Sequence, residues 1–331
     1  MKAILMTATG RPDVLQLHAV PNPDPPTGSQ IQVRLRAAGV NPIDTKLRTR
    51  GTFYPDQMPA ILGCDGAGVV EAVGDGVTQF QVGDEVYFCN GGLGGHPGTY
   101  AEVATVDEAF VAPKPTALSF AEAAAAPLVL ITAWEALFDR GRLEAGRRVL
   151  IHGGAGGVGH VAIQLAKLAG ARVCTTVSSH EKAEVVKALG AEQVIFYPET
   201  DVPQAVMAWT DGEGVELGFD TVGGDVLTQT FAATRLYGDV VTLLAPASGT
   251  DWAIARNRNL RVSFELMLTP MLQGHAAAQR EQAQILRQGA RLFDQGDLTI
   301  KLAQVLPLAQ AAAAHRTLEA GAMIGKIVLE I

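Results

Sequence analysis

Cysteine is scarce in this 331-residue chain, and the three present, Cys64, Cys89 and Cys174, stand far apart. That spacing offers neither a disulfide framework nor a CxxC metal pair, and it fits a reducing, cytoplasmic compartment. Basic charge is also in deficit, since 26 Lys and Arg against 34 Asp and Glu give a formal charge of −8. No local basic patch offsets it, so neither nucleic acid nor an anionic membrane surface is expected as a partner. A long apolar run is missing as well. The most apolar stretch, residues 121–138, is interrupted by Glu122, Pro127 and Glu135, and the opening MKAILMTATG turns polar too soon for a signal peptide. A soluble, unexported protein is expected.

What is present is a globular composition, 48% hydrophobic and 18% charged, with length enough for two domains. Residues 1 to about 120 read as short strands. In QIQVRLRA, Ile31, Val33, Leu35 and Ala37 fall on one face and Gln32, Arg34 and Arg36 on the other. GAGVVEAVG, DEVYF and TYAEVATV add further strands between glycines and the prolines at 21, 23, 25 and 26, which predicts a barrel-like β domain. From about residue 147 the rhythm changes. RVLIH, ARVCTTV, EQVIFY, VELGFDTV, DVVTLL and RVSFEL are spaced for crossover helices, which predicts an α/β fold with a doubly wound parallel sheet. A tail with LTIKLAQVL, an alanine-rich helix near 308–320 and GKIVLEI is expected to return to the first domain.

The stretch HGGAGGVG, residues 152–159, lies between the strand RVLIH and a helix whose Val158, Ala162, Leu165, Ala166 and Ala169 share one face. Gly154, Gly156 and Gly159 supply GxGxxG in a strand-turn-helix setting. Glycine at the first two places permits a tight turn and close backbone approach, and at the third it lets helix and strand touch. The helix N-terminus then offers N–H groups and partial positive charge to a pyrophosphate. The end of the next strand selects the dinucleotide. An acidic residue there holds the ribose hydroxyls of NAD, but this chain reads TTVSSHEK, with Ser178, Ser179 and, one helical turn on, Lys182. Hydroxyls and a lysine invite a 2′-phosphate, so NADPH is the expected cofactor. Ser178 and Ser179 also read as caps of the following helix, a role compatible with the first.

The segments AAGVNPIDTKLR, ILGCDGAGVVEAVG, GDEVYF, GTYAEV, LITAWEAL, IHGGAGGVG, FDTVGG and GKIVLEI occur along the whole chain. Together they resemble the medium-chain dehydrogenase/reductase superfamily, and more narrowly its quinone oxidoreductase branch, which includes zeta-crystallin. The resemblance implies a GroES-like β-barrel catalytic domain at both ends (residues 1–122 and 272–331), a Rossmann domain between them (123–271), and an active site in the cleft. It places Gly156, Gly157 and Val158 under the pyrophosphate, Thr132 near the nicotinamide, Ser178, Lys182 and Tyr197 around the 2′-phosphate, and Val222 along the cofactor. It also implies a homodimer joined through Rossmann edges, with RVSFEL as the edge strand.

Zinc-bearing relatives carry a cysteine, a His-Glu pair and a second cysteine where this chain has Asn41, Cys64 with Asp65, and about Leu128. A catalytic zinc needs three protein donors and an open position, so no metal is expected. Cys64 reads as a small apolar packer and His96 as a loop residue; a site of Cys64, Cys89 and His96 is the less favoured alternative. Without a Lewis acid, alcohol oxidation is hard, whereas a quinone or an α,β-unsaturated carbonyl accepts hydride directly once an oxyanion is stabilised and a proton supplied. Candidates for those tasks are Asn41, which matches the family's active-site asparagine, and Tyr54, which resembles a pocket tyrosine. Asp44 and Lys46 are candidates beside them. Each has a plainer reading: Asp44 as partner of an arginine, Lys46 as a solvated charge, and Tyr54 as an amphipathic wall. Rival functions are a zinc alcohol dehydrogenase and an NADPH-binding protein with little turnover.

Overall fold

The computed structural model describes all residues, 1–331. The chain divides into two compact units, one of Met1–Leu128 with Leu268–Ile331 and one of Val129–Met267.

In the first unit the sheet order is Leu302–Pro307, Lys326–Glu330, Gln30–Val40, Asp65–Val73, Glu85–Cys89 and Val111–Pro113, with Val103–Asp107 also paired to Gln30–Val40. The alternation in QIQVRLRA has its expected effect: Ile31, Val33 and Leu35 enter a core with Val70, Val86 and Phe88. Three strand registers bring residues distant in the chain together. Gly39 lies opposite Asp65, which in turn lies opposite Cys89. On the other side Ile327 pairs with Val40, so Lys326 arrives beside Asn41. The helix Phe120–Ala125 closes over this place: a Cβ on Gly39 would lie 2.4 Å from the Ala124 carbonyl oxygen, so only glycine allows the approach.

The second unit is a six-stranded parallel sheet in the order Gln193–Phe196, Arg172–Val177, Arg148–Ile151, Val215–Asp220, Thr234–Thr242 and Arg261–Phe264. These are the six runs picked out by hydrophobic patterning, and in chain order the sheet reads 3-2-1-4-5-6, the doubly wound arrangement. Its order reverses between Arg148–Ile151 and Val215–Asp220, where such sheets present strand ends and helix N-termini to a ligand. No helix is long and apolar enough to cross a membrane.

Candidate functional site

In the second unit, residues 152–156 join the strand Arg148–Ile151 to the helix Gly157–Leu168. Gly153 has φ +66°, a left-handed conformation suited to glycine. A Cβ on Gly154 would stand 2.1 Å from Thr175 Oγ1, and one on Gly159 would stand 2.3 Å from the Gly153 carbonyl oxygen. Gly159 therefore lets the helix press on the turn itself rather than on a strand. Gly153 N donates to Thr176 Oγ1 at 3.0 Å, and Thr221 Oγ1 donates to the His152 carbonyl at 2.6 Å, which fixes the turn between neighbouring strands. Gly156 is the cap, so Gly157, Val158 and Gly159 open the helix with N–H groups that have no intrahelical acceptor. A turn this bare, ending in a helix N-terminus, fits a pyrophosphate. Sequence reading missed Gly153, although the doubled glycine was visible.

At the end of the next strand, Ser178, Ser179 and Lys182 come together. Ser179 Oγ accepts from Lys182 N, capping the helix His180–Leu189, and Lys182 Nζ donates to Ser178 Oγ at 3.1 Å. The strand pairing of Phe196 with Val177 brings Tyr197 alongside, and its side chain is exposed. Thr132 is buried in the helix Pro127–Trp134. Val222 projects from the DTVGG turn and is exposed; Asp220 holds that turn, its Oδ1 accepting from Val222 N at 2.9 Å and Gly223 N at 2.8 Å while Oδ2 accepts from Thr242 Oγ1. Asp220 escaped the sequence reading because its partners are the backbone of its own turn and a residue on the next strand of the chain.

In the first unit, Asn41 and Asp44 form the reciprocal capping box of the helix Pro42–Arg50, with Asp44 Oδ2 accepting from Asn41 N at 2.8 Å. Both are fully buried. The partner of Asp44 is not an arginine: its Oδ2 accepts from Tyr100 Oη at 2.9 Å, and Oδ1 has no partner. Asn41 Nδ2 donates to Asp65 Oδ2 at 2.8 Å, Asp65 Oδ1 accepts from Leu128 N at 2.9 Å, and Lys326 Nζ donates to Asn41 Oδ1 and to the Val40 carbonyl. Lys326 Nζ also stands 3.9 Å from Asp65 Oδ2. Patterning assigned Lys326 only to a strand and gave no sign of this role.

Burial dominates the electrostatics. It pushes the Asp44 carboxyl up to about 7, against the Asn41 N–H, Tyr100 and Lys326, with Asp65 adding to the push. Burial likewise raises Asp65, opposed first by Lys326, and lowers the Lys326 ammonium, opposed by Asp65 and Asp44. Cys64 bonds to Cys89, which favours its thiolate, yet burial and the two carboxylates outweigh this and the thiol is raised. Cys89 is held well above the usual thiol range by that bond and by burial. A metal ion would have to displace these protons to bind either thiol. His96 turns its Nδ1 toward the Pro97 carbonyl instead, and no group of three or more His, Cys, Asp or Glu is arranged to hold a metal ion.

Lys46 and Tyr54 differ from their buried neighbours. Lys46 is half-buried, which lowers its ammonium, with Arg50 adding to the effect. Tyr54 is 37% exposed and its ring lies on Gly95, where an added Cβ would come within 3.1 Å.

Two family models match the chain: the alcohol dehydrogenase GroES-like domain over residues 27–116 and the zinc-binding dehydrogenase over residues 189–329. The quinone oxidoreductase of Pseudomonas aeruginosa is 34% identical over 332 residues, covering 99% of each chain. A 2-haloacrylate reductase from a Burkholderia species is 33% identical over 311 residues, covering 92% of this chain and 91% of the relative. Among solved structures, the quinone oxidoreductase of Escherichia coli complexed with NADPH matches with a TM-score of 0.88 at 31% identity, covering all of both chains.

His152, at the head of the glycine turn, is buried with Nε2 unpartnered, and burial pushes it down to about 4 against the opposing charge of Asp220. The folded protein keeps it neutral while the unfolded chain protonates it from its ordinary 6.5 downward. Its contribution to stability is therefore present above about pH 6.5 and lost as the pH falls through about 4. Urea unfolding at pH 7 and pH 4 should show His152→Asn losing less stability on acidification than the parent, by about 3 kcal/mol. An equal loss in both would contradict this.

Proposed function

The chain belongs to the medium-chain dehydrogenase/reductase superfamily, and within it we propose an NADPH-dependent reductase that delivers hydride to quinones or α,β-unsaturated carbonyls without a metal ion. The observation that carries this reading is the set of side chains at the metal-donor positions. Asn41, Cys64, Asp65 and Leu128 bond to one another or to their neighbours, and the Lys326 ammonium already faces the Asp65 carboxylate. Such a set fits zinc poorly. The quinone oxidoreductase and haloacrylate reductase relatives, both named for reduction of electrophilic acceptors, support the same class of substrate.

NADPH, when bound, supplies the hydride. The glycine turn, with Gly154, Gly156, Gly157, Val158 and Gly159, suits its pyrophosphate, and Ser178, Ser179, Lys182 and Tyr197 suit its 2′-phosphate. Thr132 and Val222 are assigned to the nicotinamide half. Asn41 keeps one Nδ2–H beyond the one given to Asp65, a donor suited to a developing oxyanion. Tyr54 is the exposed hydroxyl for a proton or hydrogen bond. Asp44 is the buried support of Asn41, and Lys46 remains a candidate beside it in the chain.

The match to the zinc-binding dehydrogenase model favours a second reading, a zinc alcohol dehydrogenase. The compartment we propose is the cytoplasm. We also assign a homodimer, because the strand Arg261–Phe264 ends its sheet, and Phe264 and the adjacent Leu266 are 54% and 52% exposed.

Purified, chelator-treated protein should oxidise NADPH with ortho-quinones, para-quinones or enones, and Tyr54→Phe should lower kcat. Turnover confined to alcohols with NADP⁺ and lost on chelation would establish the alternative. Lys182→Ala should weaken NADPH about tenfold to a hundredfold in a fluorescence titration, with NADH little changed, as loss of a charged hydrogen bond requires. Equal loss for both cofactors would remove Lys182 from 2′-phosphate recognition. Light scattering at micromolar concentration should give twice the 34.8 kDa chain mass, and a monomer would end the dimer assignment.

A further inference from the structure

Lys326 is 3% exposed, and its ammonium lies between the Val40 carbonyl, Asn41 Oδ1 and the Asp65 carboxylate. An ammonium only donates hydrogen bonds and an ionised carboxylate only accepts them. Asn41 bridges the two, so its amide has a single orientation: oxygen to Lys326, nitrogen to Asp65. The groups packed around this cation are Asp65 and Asp44 on the acidic side and the thiols of Cys64 and Cys89. These include the residues that replace metal donors in this chain.

We propose that Lys326 is the built-in cation of this cluster, a positioning residue that orients Asn41 and compensates Asp65 in the place where a bound metal ion would otherwise be required. This deepens the metal-free reading proposed above and rests on it. A buried carboxylate deprived of its cation is strongly destabilising, whereas removing both partners of a buried pair costs much less. The role therefore predicts rescue by charge removal, which a purely space-filling lysine does not.

The experiment compares the melting temperatures of the full-length parent, Lys326→Met, Asp65→Asn and the double variant, together with the zinc content of each after dialysis against zinc and removal of excess. Lys326→Met should melt roughly 5–10 °C below the parent, and adding Asp65→Asn should restore a substantial part of that loss. The parent should retain no stoichiometric zinc. Losses that simply add in the double variant overturn the proposal, as does one zinc per chain in the parent with Lys326 intact. If Lys326→Met does not accumulate as folded protein, a folded double variant is the rescue, and a double variant equally unable to fold overturns it. These readouts do not depend on turnover: failure of the reductase reading shows itself as loss of acceptor reduction on chelation, which the Lys326 series does not measure.

Discussion

One antiparallel pairing, Ile327 with Val40, sets the character of the first unit, because it delivers an ammonium to an asparagine 285 positions earlier in the chain. Three strands then present Lys326, Asn41 and Asp65 side by side, and Gly39 lets the Ala124 carbonyl close over them. The cluster holds two carboxyl groups and one ammonium. Two negative charges in so dry a place repel, and the cheapest relief is retention of a proton. Asp44 is pushed up to about 7 by burial, with Asp65 adding to the push, while Asp65 has the ammonium as its direct partner. Asp44 Oδ1 is left without a partner.

The second unit handles charge the opposite way. Its glycine turn keeps side chains out of the space beyond the helix N-terminus and offers backbone N–H groups there. Nothing is neutralised in advance, since the dipole of Gly157–Leu168 is itself suited to an incoming anion. The positive side chain associated with that region, Lys182, is tethered only by Ser178 Oγ. A lysine so loosely held remains available to an anion.

This contrast explains how much the sequence disclosed. The six strands of the second unit, its glycine turn and the serine-lysine group were legible because each is local: a strand is read from successive residues, and Ser178, Ser179 and Lys182 lie within five positions. Ile31, Val33 and Leu35 were legible as a core face for the same reason. Resemblance pointed to Asn41, and patterning reached Cys64 only as a small apolar packer. It took the strand registers to show that Cys89 adjoins Asp65, and that Lys326 abuts Asn41. Asp44 went to the wrong partner because a helix-capping carboxylate and an ion-paired one look alike in sequence, and Tyr100 is 56 residues away.

An internal ammonium and a divalent metal do different work, and the difference bears on chemistry. A metal ion polarises an oxygen bound to it and makes alcohol deprotonation easy near neutral pH. Lys326 carries one charge, spends its donors on Val40 and Asn41, and is sealed from solvent. In the proposed role it acts on a ligand only through the amide of Asn41, whose N–H is made a somewhat better donor by the cation on its oxygen. That is useful to an acceptor already electrophilic, on which hydride addition creates an oxyanion, and of little use to an alcohol that must first lose a proton. In the role proposed for it, such a buried cation suits reduction of conjugated carbonyls better than oxidation of alcohols, by the same argument that lets it organise the cluster.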